Sequence, residues 1–134
     1  MTTILRRLRD AANSHDAQEL ASLFSADYQS EQPLHPRRGF SGSAQVFENW
    51  SSVFKGVPDF RSELISSSAN DEVEWGEWSW VGRHVDGSAF AMRGVTIFVV
   101  RDGLIADGRL YMEPVDADGG DIQAAVNELY KPPT

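Results

Sequence analysis

The stretch Glu31-Gln32-Pro33-Leu34-His35-Pro36 is where this chain comes nearest to acid–base chemistry. An imidazole titrates near neutrality, so His35 is the candidate base or acid, with Glu31 to orient it and Gln32 as a polar neighbour. Placed between two turn prolines, His35 also reads as an ordinary exposed loop residue. His15, at a helix junction, and His84, at a strand end, read as structural. Three dispersed histidines without acids at ligand spacing make no metal site, because zinc or iron needs three or more converging ligands. The chain has no cysteine, which removes disulfides, thiolate ligands and a thiol nucleophile. Gly103 and Gly108 lie in a strand hairpin with no helix after them, so no phosphate cradle or dinucleotide fingerprint is present. Neither a metal nor a cofactor is expected.

Bulk properties narrow the partners. The chain has 134 residues and a formal net charge of -8, enough for one core and opposed to binding a polyanion. Its one dense basic cluster, Arg6, Arg7 and Arg9, is diluted by Asp10 and reads as a solvated helix face or, failing that, an anion site. The opening MTTILRRLRD lacks the apolar run of a signal peptide, and no stretch approaches the ~20 apolar residues of a membrane span. No nucleic acid, no membrane and a cytoplasmic address are the expectations.

Elements that would position these groups follow from periodicity. Ile4, Leu5, Leu8, Ala11 and Ala12, then Leu20, Leu23 and Phe24, recur at helical spacing, with Asp16 and Glu19 forming a capping box between two helices. A short extended piece is expected over 26–32, then a loop punctuated by Pro33, Pro36, Gly39 and Gly42. A third helix starts at Ser43 and stops at Gly56 before Pro58. Beyond it the period changes to two, giving strands over 60–68, 73–84, 88–100 and 104–115 with turns at Asn70-Asp71, Asp86-Gly87 and Asp102-Gly103. Helices first and a meander second is the α+β pattern: one domain over 1–134, its helices packed on a strongly curved antiparallel sheet. The tail, 116–134, is expected to be a short helix or an arm on a neighbour.

Which side chains share a face depends on the turns, because a one-residue slip reverses every strand side chain. Three-residue loops, Val85-Asp86-Gly87 and Arg101-Asp102-Gly103, each ending in a left-handed glycine with a bulge, separate the faces cleanly. Trp78, Trp80, Phe90 and Met92 then share a face with Phe98, Leu110 and Met112. Trp50 and Phe54 from the third helix join these rings as the candidate lining for a flat apolar ligand, with Tyr28 and Gln32 supplying hydrogen bonds. Residue by residue, ordinary core packing explains the same side chains. The opposite face mixes Trp75, Val95 and Tyr111 with Arg93 and Arg109, a composition suited to a homodimer interface or, alternatively, to a solvated face with cross-strand ion pairs.

The order and spacing of Leu23-Phe24-Ser25-Ala26-Asp27-Tyr28, the helix over 42–54, Pro58-Asp59-Phe60, Arg101-Asp102-Gly103-Leu104-Ile105 and Arg109-Leu110-Tyr111-Met112-Glu113-Pro114 resemble the NTF2-like, cystatin-like cone fold and, within it, the SnoaL-type proteins. That resemblance implies a half-barrel with an internal pocket and dimers through the outer sheet face. It implies functions from polyketide cyclisation, ketosteroid isomerisation and epoxide hydrolysis to binding without catalysis. Departures from the family pattern are informative. Gln32 stands where ketosteroid isomerases carry a carboxylate base, Thr96 near their oxyanion-binding Asp, and Leu8 near their helix tyrosine. Leu110 aligns where hydrolases and cyclases place an inward carboxylate. Two readings follow: a SnoaL-like protein that binds and transforms a small apolar molecule using His35 and Gln32, or a non-catalytic pocket or dimerisation module.

Overall fold

The computed structural model describes residues 3–130. The first element is α1 (Ile4–Asn13), which buries Ile4, Leu5, Leu8, Ala11 and Ala12 and is capped by Thr3, whose side chain accepts from the Arg6 amide. The helix ends where His15 takes a left-handed φ of 55°. The His15 ring stacks on Phe54 at 4.9 Å and its Nε2 lies 2.8 Å from the Phe60 carbonyl, so this histidine is a packing group. In α2 (Ala17–Ser22) the Asp16 carboxylate accepts from the Glu19 amide at 2.9 Å, as the capping spacing expects. The third helix, α3, runs Ser43–Gly56.

The strands are β1 (Phe24–Glu31), β2 (Phe40–Ser41), β3 (Arg61–Asn70), β4 (Val73–Arg83), β5 (Ala89–Arg101) and β6 (Leu104–Pro114), in the spatial order β2-β1-β6-β5-β4-β3. The long four form the expected antiparallel meander, but β1 lies parallel to β6, so the sheet is mixed; it is curved and does not close. Helices α1 to α3 cover its concave side. Leu5, Leu20, Leu23, Phe60, Trp78 and Ile105 are fully buried between the layers, each contributing about 1.5–3 kcal/mol by leaving water.

The two Asp-Gly turns reach the same facing by different routes. Between β4 and β5 the loop is Val85-Asp86-Gly87, Trp80 pairs with Met92, and the register is the one the sequence suggests. Between β5 and β6, Arg101 pairs with Leu104 across a two-residue turn in which Asp102 and Gly103 have φ of 52° and 78°. The expected third loop residue is instead Ala106, unpaired between Ile105 and Asp107, where the register shifts. Both arrangements insert one residue, so Trp78, Trp80, Thr96, Phe98, Leu110 and Met112 project to the helix side. A second bulge, at Ile65, interrupts β3. The Asn13 side chain joins α1 to this strand, accepting from the Ser62 amide at 2.7 Å and donating to its carbonyl at 3.0 Å.

A final helix, α4 (Ile122–Leu129), is capped by Asp121, whose carboxylate accepts from the Ala124 amide at 3.0 Å, and buries none of its residues. The rest of the expected tail, residues 131–134, lies outside the described residues.

Candidate functional site

Beneath α3 the two layers separate around a recess of about 210 Å³. Alternation along β1 turns Tyr28 and Ser30 inward, and Gln32 follows them at the rim. Helical spacing on α3 presents Val46, Asn49, Trp50 and Val53. The sheet contributes Trp78, Trp80, Thr96, Phe98 and Leu110, while Leu8, Phe24 and Phe40 close the sides. Trp50 meets Trp80 edge-on at 5.2 Å, and Phe24 meets Tyr28 in the same manner at 4.7 Å.

No Asp, Glu, Lys, Arg or His is among these lining residues. Their polar groups are neutral and arranged by hydrogen bonds. The Trp78 indole N–H donates to Thr96 Oγ1 at 2.9 Å, which occupies a lone pair and leaves the threonine hydroxyl proton to be donated elsewhere. Burial pushes the Tyr28 phenol up to about 12, against a hydrogen bond with Ser30 that favours ionisation and with the nearby Asp107 charge adding to the rise. Tyr28 is therefore a hydrogen-bonding phenol at neutral pH. Its hydroxyl lies over Gly108, where a Cβ would collide with that oxygen and with the Phe98 ring. At the rim, the Arg38 guanidinium donates to Gln32 Oε1 at 3.3 Å.

The sequence-derived candidates divide in three. Tyr28, Gln32, Trp50, Trp78, Trp80, Phe98 and Leu110 border the recess. Phe54, Phe90, Met92 and Met112 belong to the hydrophobic core around it but do not border it. His35 does neither, which corrects its expected place at the pocket mouth beside Glu31. Its Nε2 is 2.5 Å from Glu113 Oε1, both side chains being 38% exposed, and Glu113 pairs across the sheet with Arg93 on the face away from the helices. The reason lies in the strands: Glu31 ends β1 in register with Arg109, and the turn after it carries His35 over to the far end of β6. Sequence reasoning missed Ser30, Asn49 and Thr96 as lining groups. Ser30 follows Tyr28 by two on one strand, and Asn49 follows Val46 by three on one helix, so periodicity held both signals.

The face away from the helices carries the ionic residues in rows: Trp75–Ile97–Arg109, Glu77–Val95–Tyr111 and Ser79–Arg93–Glu113. Arg93 pairs with Glu77 at 3.3 Å and Arg101 with Asp107 at 3.2 Å. Trp75 is 45% exposed, whereas Ile97, at the centre, is covered by its neighbours. Among the described residues no group of acids and histidines could hold a metal ion, and no helix is long and apolar enough to cross a membrane.

A curved, unclosed sheet wrapped about three helices with an apolar recess between them defines a small α+β cone. Residues 5–108 match the SnoaL-like domain, and the chain belongs to that family. Its fold recurs in solved structures. One is a Catenulispora acidiphila protein of ketosteroid isomerase-like fold in complex with trimethylamine, at TM-score 0.72 and 17% identity, over 82% of this chain and 86% of that one. Another is a candidate SnoaL-like polyketide cyclase from Jannaschia sp., at 0.68 and 16%, over 96% and 90%. An NTF2-like protein from Exiguobacterium sp. superposes at 0.69 and 23%, over 86% and 100%. These likenesses establish the fold, cystatin-fold proteins included. No curated protein matches the chain in sequence.

Proposed function

We propose that this SnoaL-like chain takes up a small, uncharged, largely apolar molecule in the recess beneath α3 and holds it without acid–base chemistry. The observation that carries this reading is the lining, which is aromatic and aliphatic with only neutral hydroxyl and amide groups. A charged ligand there would shed its hydration and find no counter-charge, a penalty of several kcal/mol. The volume equals the share of about seven waters, room for a single substituted ring. Tyr28, Thr96, Asn49 and Gln32 are the polar lining residues that would meet an oxygen of such a ligand. The isomerase-like and cyclase-like neighbours support a small-molecule reading of the fold. Catalysis through a general base lacks its base: His35 is engaged with Glu113 outside the recess, and losing such a group costs ~100-fold or more.

Titrating acetophenone, benzoate and benzylamine against tryptophan emission tests the proposal. The ketone should bind, and both ions should bind at least ~10-fold more weakly. Benzoate binding as tight as the ketone would sink it. A ligand recovered with the protein and then converted by it, with conversion lost in His35→Ala, would restore the catalytic reading.

The outer face supports a second proposal, that two chains pair through it. Trp75, Val95 and Tyr111 offer an apolar centre, and Arg93 and Arg109 give it the arginine enrichment of interfaces. A sedimentation mass of one chain at micromolar concentration would remove it.

A further inference from the structure

Tyr28, Gln32, Asn49 and Thr96, polar groups around the recess, share a polarity that their neighbours impose. Thr96 is 2% exposed, and among the described residues its Oγ1 has one hydrogen bond, received from the Trp78 indole at 2.9 Å. An indole N–H only donates, so this contact consumes acceptor capacity and leaves the hydroxyl proton without an acceptor. Gln32 repeats the pattern at the rim. Its Oε1 accepts from the Arg38 guanidinium, which has no lone pair to offer, so the amide N–H groups are left to donate. On α3, Asn49 Oδ1 accepts from Gln45 Nε2 at 2.7 Å, one turn earlier, with the same result. Tyr28 and Ser30 are both buried, and the bond between them favours the phenolate, so Ser30 donates and the phenol proton is the one left over.

In all four the oxygen is engaged by a neighbour and the hydrogen is left for something else. The two amides lie where water reaches them, whereas Thr96 and Tyr28 are buried. A buried donor without a partner carries a desolvation penalty that an acceptor on a ligand removes and a second donor does not. A ligand hydroxyl could accept from Thr96, but it would bring a proton of its own to a place where the oxygens are already engaged.

We infer that the recess selects for a hydrogen-bond acceptor: its ligand carries a carbonyl oxygen that takes the Thr96 hydroxyl proton, and an alcohol of the same shape is discriminated against. Trp78 and Arg38 set this polarity through Thr96 and Gln32. The inference rests on the proposed uptake of a small neutral molecule and adds the character of that molecule's polar group. A site built to hydrogen-bond one group rejects the analogue that cannot complete the bonds, which makes Thr96 the residue that determines specificity here.

Acetophenone, 1-phenylethanol and ethylbenzene share one carbon skeleton and test this when titrated against tryptophan emission in the wild type, Thr96→Val and Thr96→Ser. Acetophenone should bind the wild type ~10-fold or more tighter than 1-phenylethanol. In Thr96→Val, which keeps the shape and removes the proton, that preference should vanish while ethylbenzene binds as before, and the retained ethylbenzene site shows that the recess has survived. Thr96→Ser should keep the preference. Equal binding of ketone and alcohol to the wild type, or a preference that persists in Thr96→Val, would overturn the inference and leave uptake of a neutral molecule standing. Failure of all three compounds to bind the wild type would overturn the uptake itself, and this inference with it. The wild-type ranking decides the matter even where Thr96→Val loses ethylbenzene.

Discussion

Trp75 and Trp78 stand three residues apart on one strand and live in different solvents. Trp78 is 1% exposed, with its N–H committed to Thr96, whereas Trp75 is 45% exposed in a row with Ile97 and Arg109. The two-residue period of β4 to β6 sorts the rest in the same manner, with Trp80, Phe90, Phe98 and the thioethers toward the helices and Tyr111 and the ion pairs of Arg93 and Arg101 away from them. A chain of net charge -8 can thereby keep a recess with no charged lining residue. The exception is Glu74, which pairs with Phe98 on the helix side but beyond the recess, and whose carboxyl is raised by partial burial. Facing, more than composition, sets the chemistry of each side.

Four measurements break or sharpen that comparison. Trp78→Ala should be the most damaging, at about 3–5 kcal/mol by denaturant unfolding, from the cavity and the stranded Thr96 hydroxyl. Next comes alkaline pH, through Tyr28. An unfolded tyrosine ionises near 10, and this one holds its proton up to about 12. Below pH 10 both states keep the proton and the full stability is present. Between 10 and 12 only the folded chain keeps it, so stability falls by about 3 kcal/mol in total, and above 12 the loss is complete. Unfolding midpoints across that range should show the fall in the wild type and a flatter course in Tyr28→Phe. Trp75→Ala should cost the single chain about 1 kcal/mol or less, and losses equal to those of Trp78→Ala would contradict the difference between the faces. Smallest is His35→Gln, at about 0–1 kcal/mol, because both members of that pair are more than a third exposed and screened by water.

Local signals in the sequence reach a definite distance into this structure. The bounds of α3, the Asp16 cap and the Val85-Asp86-Gly87 loop are set by residues within a few positions of one another, and the chain displays them openly. The facing of β6 was legible because a single inward apolar set satisfies burial, but the residue that achieves it was not. Inserting one residue at Gly103 or at Ala106 yields the same facing, and only strand pairing distinguishes them. Parallel pairing of β1 with β6 likewise joins segments about 80 positions apart, for which no short pattern exists. His35 shows the same limit. Glu31 is its neighbour in sequence, yet Glu113 meets it, because the path of the loop over the end of the sheet chooses the partner. Neutral lining groups such as Thr96 and Asn49 were harder to single out than ionisable ones, since a hydroxyl or amide on an apolar face gives a weak pattern.

The amide of Asn13 on Ser62 has a consequence for how copies of this protein can accumulate. Strand β3 is one margin of the sheet, and its peptide groups at Ser62 are already satisfied by a side chain that imitates a neighbouring strand, while the irregularity at Ile65 bends the remainder. The other margin, β2, is only two residues long. Edge-to-edge addition, which propagates without limit into fibres, therefore finds little purchase at either side. The face-to-face pairing proposed above would differ in kind, because a two-fold contact closes on itself and stops.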